Sequence, residues 1–99
     1  MREFGPISNT FLRLAKEDER GKYIICDFHK NSRAMWIQKH DNVVLDKNGE
    51  RRGDCAHYPI REIYSAEYGN RIYKSYKEKG FKFIGRFEQD ILGYERKLV

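Results

Sequence analysis

Two cysteines and two histidines stand in pairs, Cys26-x-x-His29 and Cys55-x-His57. Thiolate and imidazole together are a ligand set for tetrahedral zinc. The spacings are not those of a finger or a ribbon. Residues three apart on a strand point to opposite faces, so Cys26 and His29 meet on one ion only if the strand ends between them. The simpler reading makes Cys26 a small core residue and His57 a loop residue, and no metal or other cofactor is expected. Asp46, Asn48, Glu50 and Asp54 alternate like a calcium loop, but the position that needs glycine is Arg51, so a polar turn is expected there instead. His29, His40 and His57, with Asp41 and Asp54, are the groups that metal-free RNA cleavage would need for acid–base work. No spacing ties any two of them together. The chain has no glycine-rich phosphate loop and no nucleophile elbow.

A basic and aromatic segment carries more information. From Arg71 to Arg86 the cations are Arg71, Lys74, Lys77, Lys79, Lys82 and Arg86, against a single acid, Glu78. Lysine and arginine neutralise phosphates, and exposed tyrosines stack on bases. Ile60, Tyr64, Tyr68, Ile72 and Tyr76 step by four, which is the spacing of a buried helical stripe. That leaves Arg71, Tyr73, Lys74, Lys77, Lys82 and Arg86 for a partner. Arg51 and Arg52 in the preceding loop, and Arg33 beside Trp36, extend the patch.

The chain has 99 residues, 20 Lys+Arg and 15 Asp+Glu, a formal charge of +5. That length suits one domain, with residues 1–7 as a short arm broken at Gly5-Pro6. The charge favours an acidic partner: nucleic acid first, an acidic protein surface second. In the second case the protein would be an inhibitor or adaptor of the kind that phages carry as accessory proteins. No apolar run approaches the roughly 20 residues of a membrane span, and Met1–Phe4 does not open a signal sequence. A cytoplasmic protein with reduced thiols is expected. A non-enzymatic binding module is favoured over an enzyme.

The elements that must position these residues read as α+β. Phe11–Arg20 is compatible with a short helix capped by Ser8, Asn9 or Thr10 and ended by Gly21; the competing reading is a hairpin in which Thr10–Lys16 pairs with Lys22–His29 across Glu17–Gly21, and the helix is slightly preferred. Lys22–His29 is a strand, with Ile24, Cys26 and Phe28 toward the core. Ala34–Lys39 is a second strand, His40-Asp41-Asn42 a turn and Val43–Leu45 a third strand. Asp46–Gly49 is a tight turn, and 50–58 is irregular. A long helix runs from Pro59 to Lys79. Phe81–Phe87 and Ile91–Leu98 close the chain as a hairpin. One antiparallel sheet, meander plus hairpin, packed against one long helix is the expected fold.

Tyr76-Lys-Glu-Lys-Gly80-Phe81 resembles the end of a GNAT-type acetyltransferase, where a helix ends in Tyr-x-x-x-Gly-Phe before two antiparallel strands. The resemblance covers residues 63–99, little more than a third of the chain. It implies Tyr76 as a general acid, a strand at 63–65 and a helix starting near Gly69-Asn70. The family's loop for the acetyl-CoA pyrophosphate has no counterpart between residues 30 and 63. A reduced GNAT-like enzyme is what the resemblance implies for function.

Overall fold

The computed structural model describes residues 9–30, 33–52, 60–90 and 94–98. Among these described residues, seven strands and one helix follow the order β1 (Thr10–Glu17), β2 (Tyr23–Lys30), β3 (Ala34–Leu45), β4 (Arg51–Arg52), β5 (Ile60–Ser65), α1 (Ala66–Glu78), β6 (Lys82–Gln89) and β7 (Glu95–Lys97). The strands form one sheet in the order β4-β3-β2-β1-β6-β7, with β5 lying beside the first half of β3. Every strand pair in it is antiparallel. The expected α+β class, one antiparallel sheet with one helix packed on it, is what the chain adopts.

The sheet curls until β4 and β7 meet, and side chains close the seam. The Glu95 carboxylate accepts from the Arg51 backbone N–H at 2.8 Å, and the Glu50 carboxylate accepts from the Lys97 N–H at 3.1 Å. The sheet is therefore a nearly closed barrel, with one helix packed on its outside.

Four element assignments change. Residues 10–17 are a strand, not the start of a helix. β1 lies between β2 and β6 and pairs with both, so its backbone bonds are made across the sheet and not along the chain. The turn into β2 is built by Asp18, whose carboxylate accepts from the N–H groups of Arg20 and Lys22, with Gly21 at φ 80°. Val43–Leu45 is not a separate strand. β3 runs unbroken through His40-Asp41-Asn42, and the local irregularity is confined to a register shift opposite Tyr23 and Ile25, with Asn42 at φ 56°. Arg51–Arg52 is a short strand within the stretch expected to be irregular. The long helix begins at Ala66, because Ile60–Ser65 pairs with Ala34–Lys39 of β3. Ser65 caps it, its Oγ accepting from the Tyr68 N–H at 3.2 Å. Pro59 and the arm 1–7 lie outside the described residues.

Two apolar clusters result. Under α1 lie Leu14, Cys26, Phe28, Met35, Ile37 and Phe81, with Ile72, Tyr73 and Tyr76 reaching down from the helix. Inside the barrel lie Ala15, Ile25 and Val43, with Tyr23, Leu45 and Ile84. Both faces of β2 are thus buried. The expectation that only the Ile24, Cys26 and Phe28 face is core is corrected: Ile25 is fully buried and Asp27 is 4% exposed on the other side.

Candidate functional site

Asp27 can be buried because Arg13 faces it across the sheet. Arg13 itself is 0% exposed. Its Nε and one terminal nitrogen donate to both Asp27 oxygens at 2.7 and 2.8 Å, a planar fork on a carboxylate. The two terminal nitrogens also donate to both Glu95 oxygens at 2.8 and 2.7 Å, and one of them to the Gly49 carbonyl at 2.9 Å. The guanidinium lies beside the rings of Phe11 and Phe87, 5.1 and 4.9 Å from their centroids, and the two rings are themselves stacked with centroids 5.8 Å apart. Arg51 extends the network, donating through Nε to Glu95 at 3.0 Å and lying 3.2 Å from His40 Nδ1. A guanidinium only donates, so His40 accepts there through Nδ1.

This cluster joins β1, β2, β3, β4 and β7, and it is complete. Among the described residues no buried side-chain nitrogen or oxygen lacks a hydrogen-bond partner. Its groups are engaged in closing the barrel.

Its acids respond to pH in opposite senses. Burial alone would push the Glu95 carboxyl up. Hydrogen bonds and charge from Arg13, then the N–H and charge of Arg51, outweigh it and hold Glu95 below its ordinary value. Burial dominates at Asp27 and raises it in spite of Arg13. A depressed carboxyl contributes stability that is present above its unfolded pKa of about 4.3 and is lost as pH falls through the folded value. Asp27 has the reverse sign and loses stability as pH rises. The expected result is that Glu95→Gln melts lower than the parent near neutrality, and that the gap narrows as pH falls below about 4. Thermal melts of both proteins from pH 7 to pH 3 check it; a constant gap would mean that Glu95 is not ionised in the fold.

Of the four candidate zinc ligands, the two among the described residues, Cys26 and His29, do not converge. β2 runs on to Lys30, so Cys26 lies under α1 while His29 lies on the opposite face against Phe11, with ring centroids 4.8 Å apart. Burial pushes the Cys26 thiol up to about 12, which removes it as a thiolate at neutral pH. Cys55 and His57, like Asp54, lie outside the described residues. Among the described residues no three potential ligands come together. The Asp46 carboxylate is engaged within its own turn, accepting from the N–H groups of Asn48 and Glu50 and from Arg52 Nε.

The expected basic patch is divided by the fold. Arg51 belongs to the barrel seam. Arg52 pairs with Asp46 at 2.8 Å, and Trp36 is buried at 6% exposure. Arg33 is exposed beside the start of α1, its carbonyl accepting from the Ala66 N–H. Arg71 lies 4.0 Å from Glu67 on the solvent side of the helix. Lys82 is opposite Ala15 in register and so leaves the sheet on the barrel side. Tyr76 is half-buried, edge-on to Phe28 and Phe81, with Lys79 Nζ 5.2 Å from its ring centroid.

What remains gathers on one face. Asn70, Tyr73, Lys74 and Lys77 share one side of α1 by their i, i+3, i+4, i+7 spacing. That side overlooks parts of β1 and β6 that the helix leaves open. Leu12 and Phe83 are exposed there at 37% and 48%. Between helix and sheet runs a groove of about 610 Å³, lined by Leu12, Lys30, Met35, Asn70, Tyr73 and Arg86 among others. A bulge shapes it. Leu14 pairs with Phe83 and Leu12 with Arg86, because the register shifts between Arg13 and Leu14 and Gly85 takes φ 150°. Phe83 and Arg86 are three apart in sequence, yet the extra residue puts both on the helix side.

No family model matches the chain, and no curated protein or solved structure is similar to it.

Leu12, Lys30 and Asn70 in the groove, and Phe83 on the same sheet face, are residues that the sequence reading missed. Leu12 was hidden by the helical reading of residues 10–20. Phe83 and Arg86 carried a legible signal, since a glycine inside a strand pattern marks a bulge.

Proposed function

We propose that this protein is a non-enzymatic binding module that docks the α1–β6 face on nucleic acid. The observation that supports this most is the coincidence, on one face, of exposed cations and open apolar surface. Lys30, Lys74, Lys77 and Arg86 are exposed around Leu12, Phe83 and the groove. Lys77 Nζ stands 5.8 Å from the Tyr73 ring centroid, so charge and ring are offered together. Cations neutralise backbone phosphates, and the apolar floor takes bases or sugars. Among the described residues no helix is long and apolar enough to cross a membrane.

The test is a binding titration at several salt concentrations with the parent and with a Lys30→Glu/Arg86→Glu variant. Affinity for nucleic acid should fall as salt rises. The variant should bind at least about tenfold more weakly, with the log–log salt slope reduced by about 0.7–0.9 for each phosphate that is no longer neutralised. Both residues are exposed, so each change should alter stability by less than about 0.5 kcal/mol. Weak, salt-independent binding to DNA and RNA alike would remove this function and leave an acidic protein surface as the partner.

A further inference from the structure

We infer that the groove between α1 and the β1–β6 sheet takes an unstacked base, and that the nucleic acid bound is single-stranded. The inference rests on the function proposed above and specifies its ligand. Three features of the face carry it.

The first is depth. The groove has the volume of a small-molecule site, and its floor is apolar, with Leu12, Met35 and Tyr73. The bases of a duplex are stacked and paired, so they cannot enter a recess flanked by a helix. A base already out of the stack can, and its polar edge then meets Asn70, whose amide both donates and accepts.

The second is where the charges stand. Lys30 at the end of β2 and Arg86 on β6 line the same groove as the apolar floor. A base seated on that floor brings its own phosphates to these two side chains. An acidic peptide would meet the same cations but would leave the aromatic surface without a matching group.

The third is the spacing of a second platform. Phe83 is half exposed on the same sheet face, paired with Leu14, two residues along β1 from Leu12 in the groove. Two residues of strand span about 7 Å. Stacked bases in one strand are separated by about 3.4 Å. Neighbouring bases that use the groove and the Phe83 ring are therefore pulled apart, which an extended single strand permits and a duplex does not.

The experiment is fluorescence anisotropy at fixed salt with three labelled probes: a mixed-sequence 12-nucleotide DNA, the RNA of the same sequence, and the DNA annealed to its complement. At least one single strand should bind tenfold or more tightly than the duplex. Phe83→Ala should weaken single-strand binding about five- to a hundredfold with the salt slope unchanged, because a stacking surface is lost and no charge is. Asn70→Asp, at an exposed helical position, should also weaken it, and keeps the inference testable if Phe83→Ala unfolds. Duplex binding as tight as single-strand binding, with both variants neutral, would overturn single-strand recognition and leave the nucleic-acid reading standing. Failure of all three probes, with binding to polyglutamate instead, would overturn both.

Discussion

Arg13→Ala should destabilise the fold by roughly 3–5 kcal/mol, the range seen when one partner of a buried ion pair is removed. The arginine is fully buried, and it holds two carboxylates that water cannot reach: Asp27 is 4% exposed, and the Glu95 side chain is also 4% exposed. Without the guanidinium both acids keep their desolvation cost and lose the charge that offsets it. The Gly49 carbonyl loses a donor as well. A chain of this size has about 5–15 kcal/mol in all, so the variant should lose a large share of its stability and unfold at a much lower urea concentration. The loss should concentrate at the seam, since Arg13 reaches from β1 to β2, to the turn before β4 and to β7. Urea unfolding monitored by circular dichroism measures it. Arg13→Lys keeps the charge but not the planar fork and should fall between parent and alanine. The double variant Arg13→Ala/Asp27→Asn should cost less than the sum of the singles, because the second change removes an acid already stranded by the first. A midpoint for Arg13→Ala within about 1 kcal/mol of the parent would mean that the barrel does not depend on this cluster.

That network explains what could and could not be read from the sequence. β2, the Asp46–Gly49 turn and the closing hairpin follow from alternation and turn chemistry, which are local, and so does the fold class. Residues 10–17 are not local. Their helical reading came from good helix formers around Leu12 and Leu14, while the strand is imposed by β2 on one side and β6 on the other. Arg13 would be an implausible inward residue in any strand unless Asp27 and Glu95 were known to face it, and they come from 14 and 82 positions away. Ile60–Ser65 failed for a related reason. Tyr64 and Tyr68 step by four, but alternation toward Tyr64 fits a strand equally well, and pairing with β3 decided it. Ser65 was the boundary signal, a capping hydroxyl three residues before Tyr68. The basic segment was legible as composition but not as a surface: one bulge at Gly85 sends Arg86 to the helix side, and the register sends Lys82 the other way.

Gly69→Ala should also be destabilising, and this reverses what helix propensity predicts. Gly69 lies in the first half of α1, where alanine is favoured by about 1 kcal/mol on propensity alone. Its conformation does not forbid a side chain. Its surroundings do. A Cβ added there would lie 2.6 Å from Met35 Cβ, 2.7 Å from Met35 Sδ and 3.1 Å from Met35 Cγ. The methionine could swing its sulfur away, but its Cβ is fixed to β3, in the middle of the sheet. The clash is therefore relieved only if α1 lifts from the sheet. That would loosen Ile72, Tyr73 and Tyr76 from Phe28 and Met35, and overpacking of this kind typically costs about 1–3 kcal/mol. The penalty should exceed the propensity gain, so the alanine variant should melt below the parent, and Gly69→Val lower still. Met35→Ala is expected to be destabilising alone by about 2–5 kcal/mol through its cavity. Combined with Gly69→Ala it removes the Sδ and Cγ contacts but keeps the Cβ that the new methyl group meets at 2.6 Å, so the double variant should recover only part of the Gly69→Ala penalty. Thermal melts of the four proteins measure the coupling. If Gly69→Ala instead raises the melting temperature, α1 does not sit this close to β3, and the groove beside Tyr73 is wider than this packing allows.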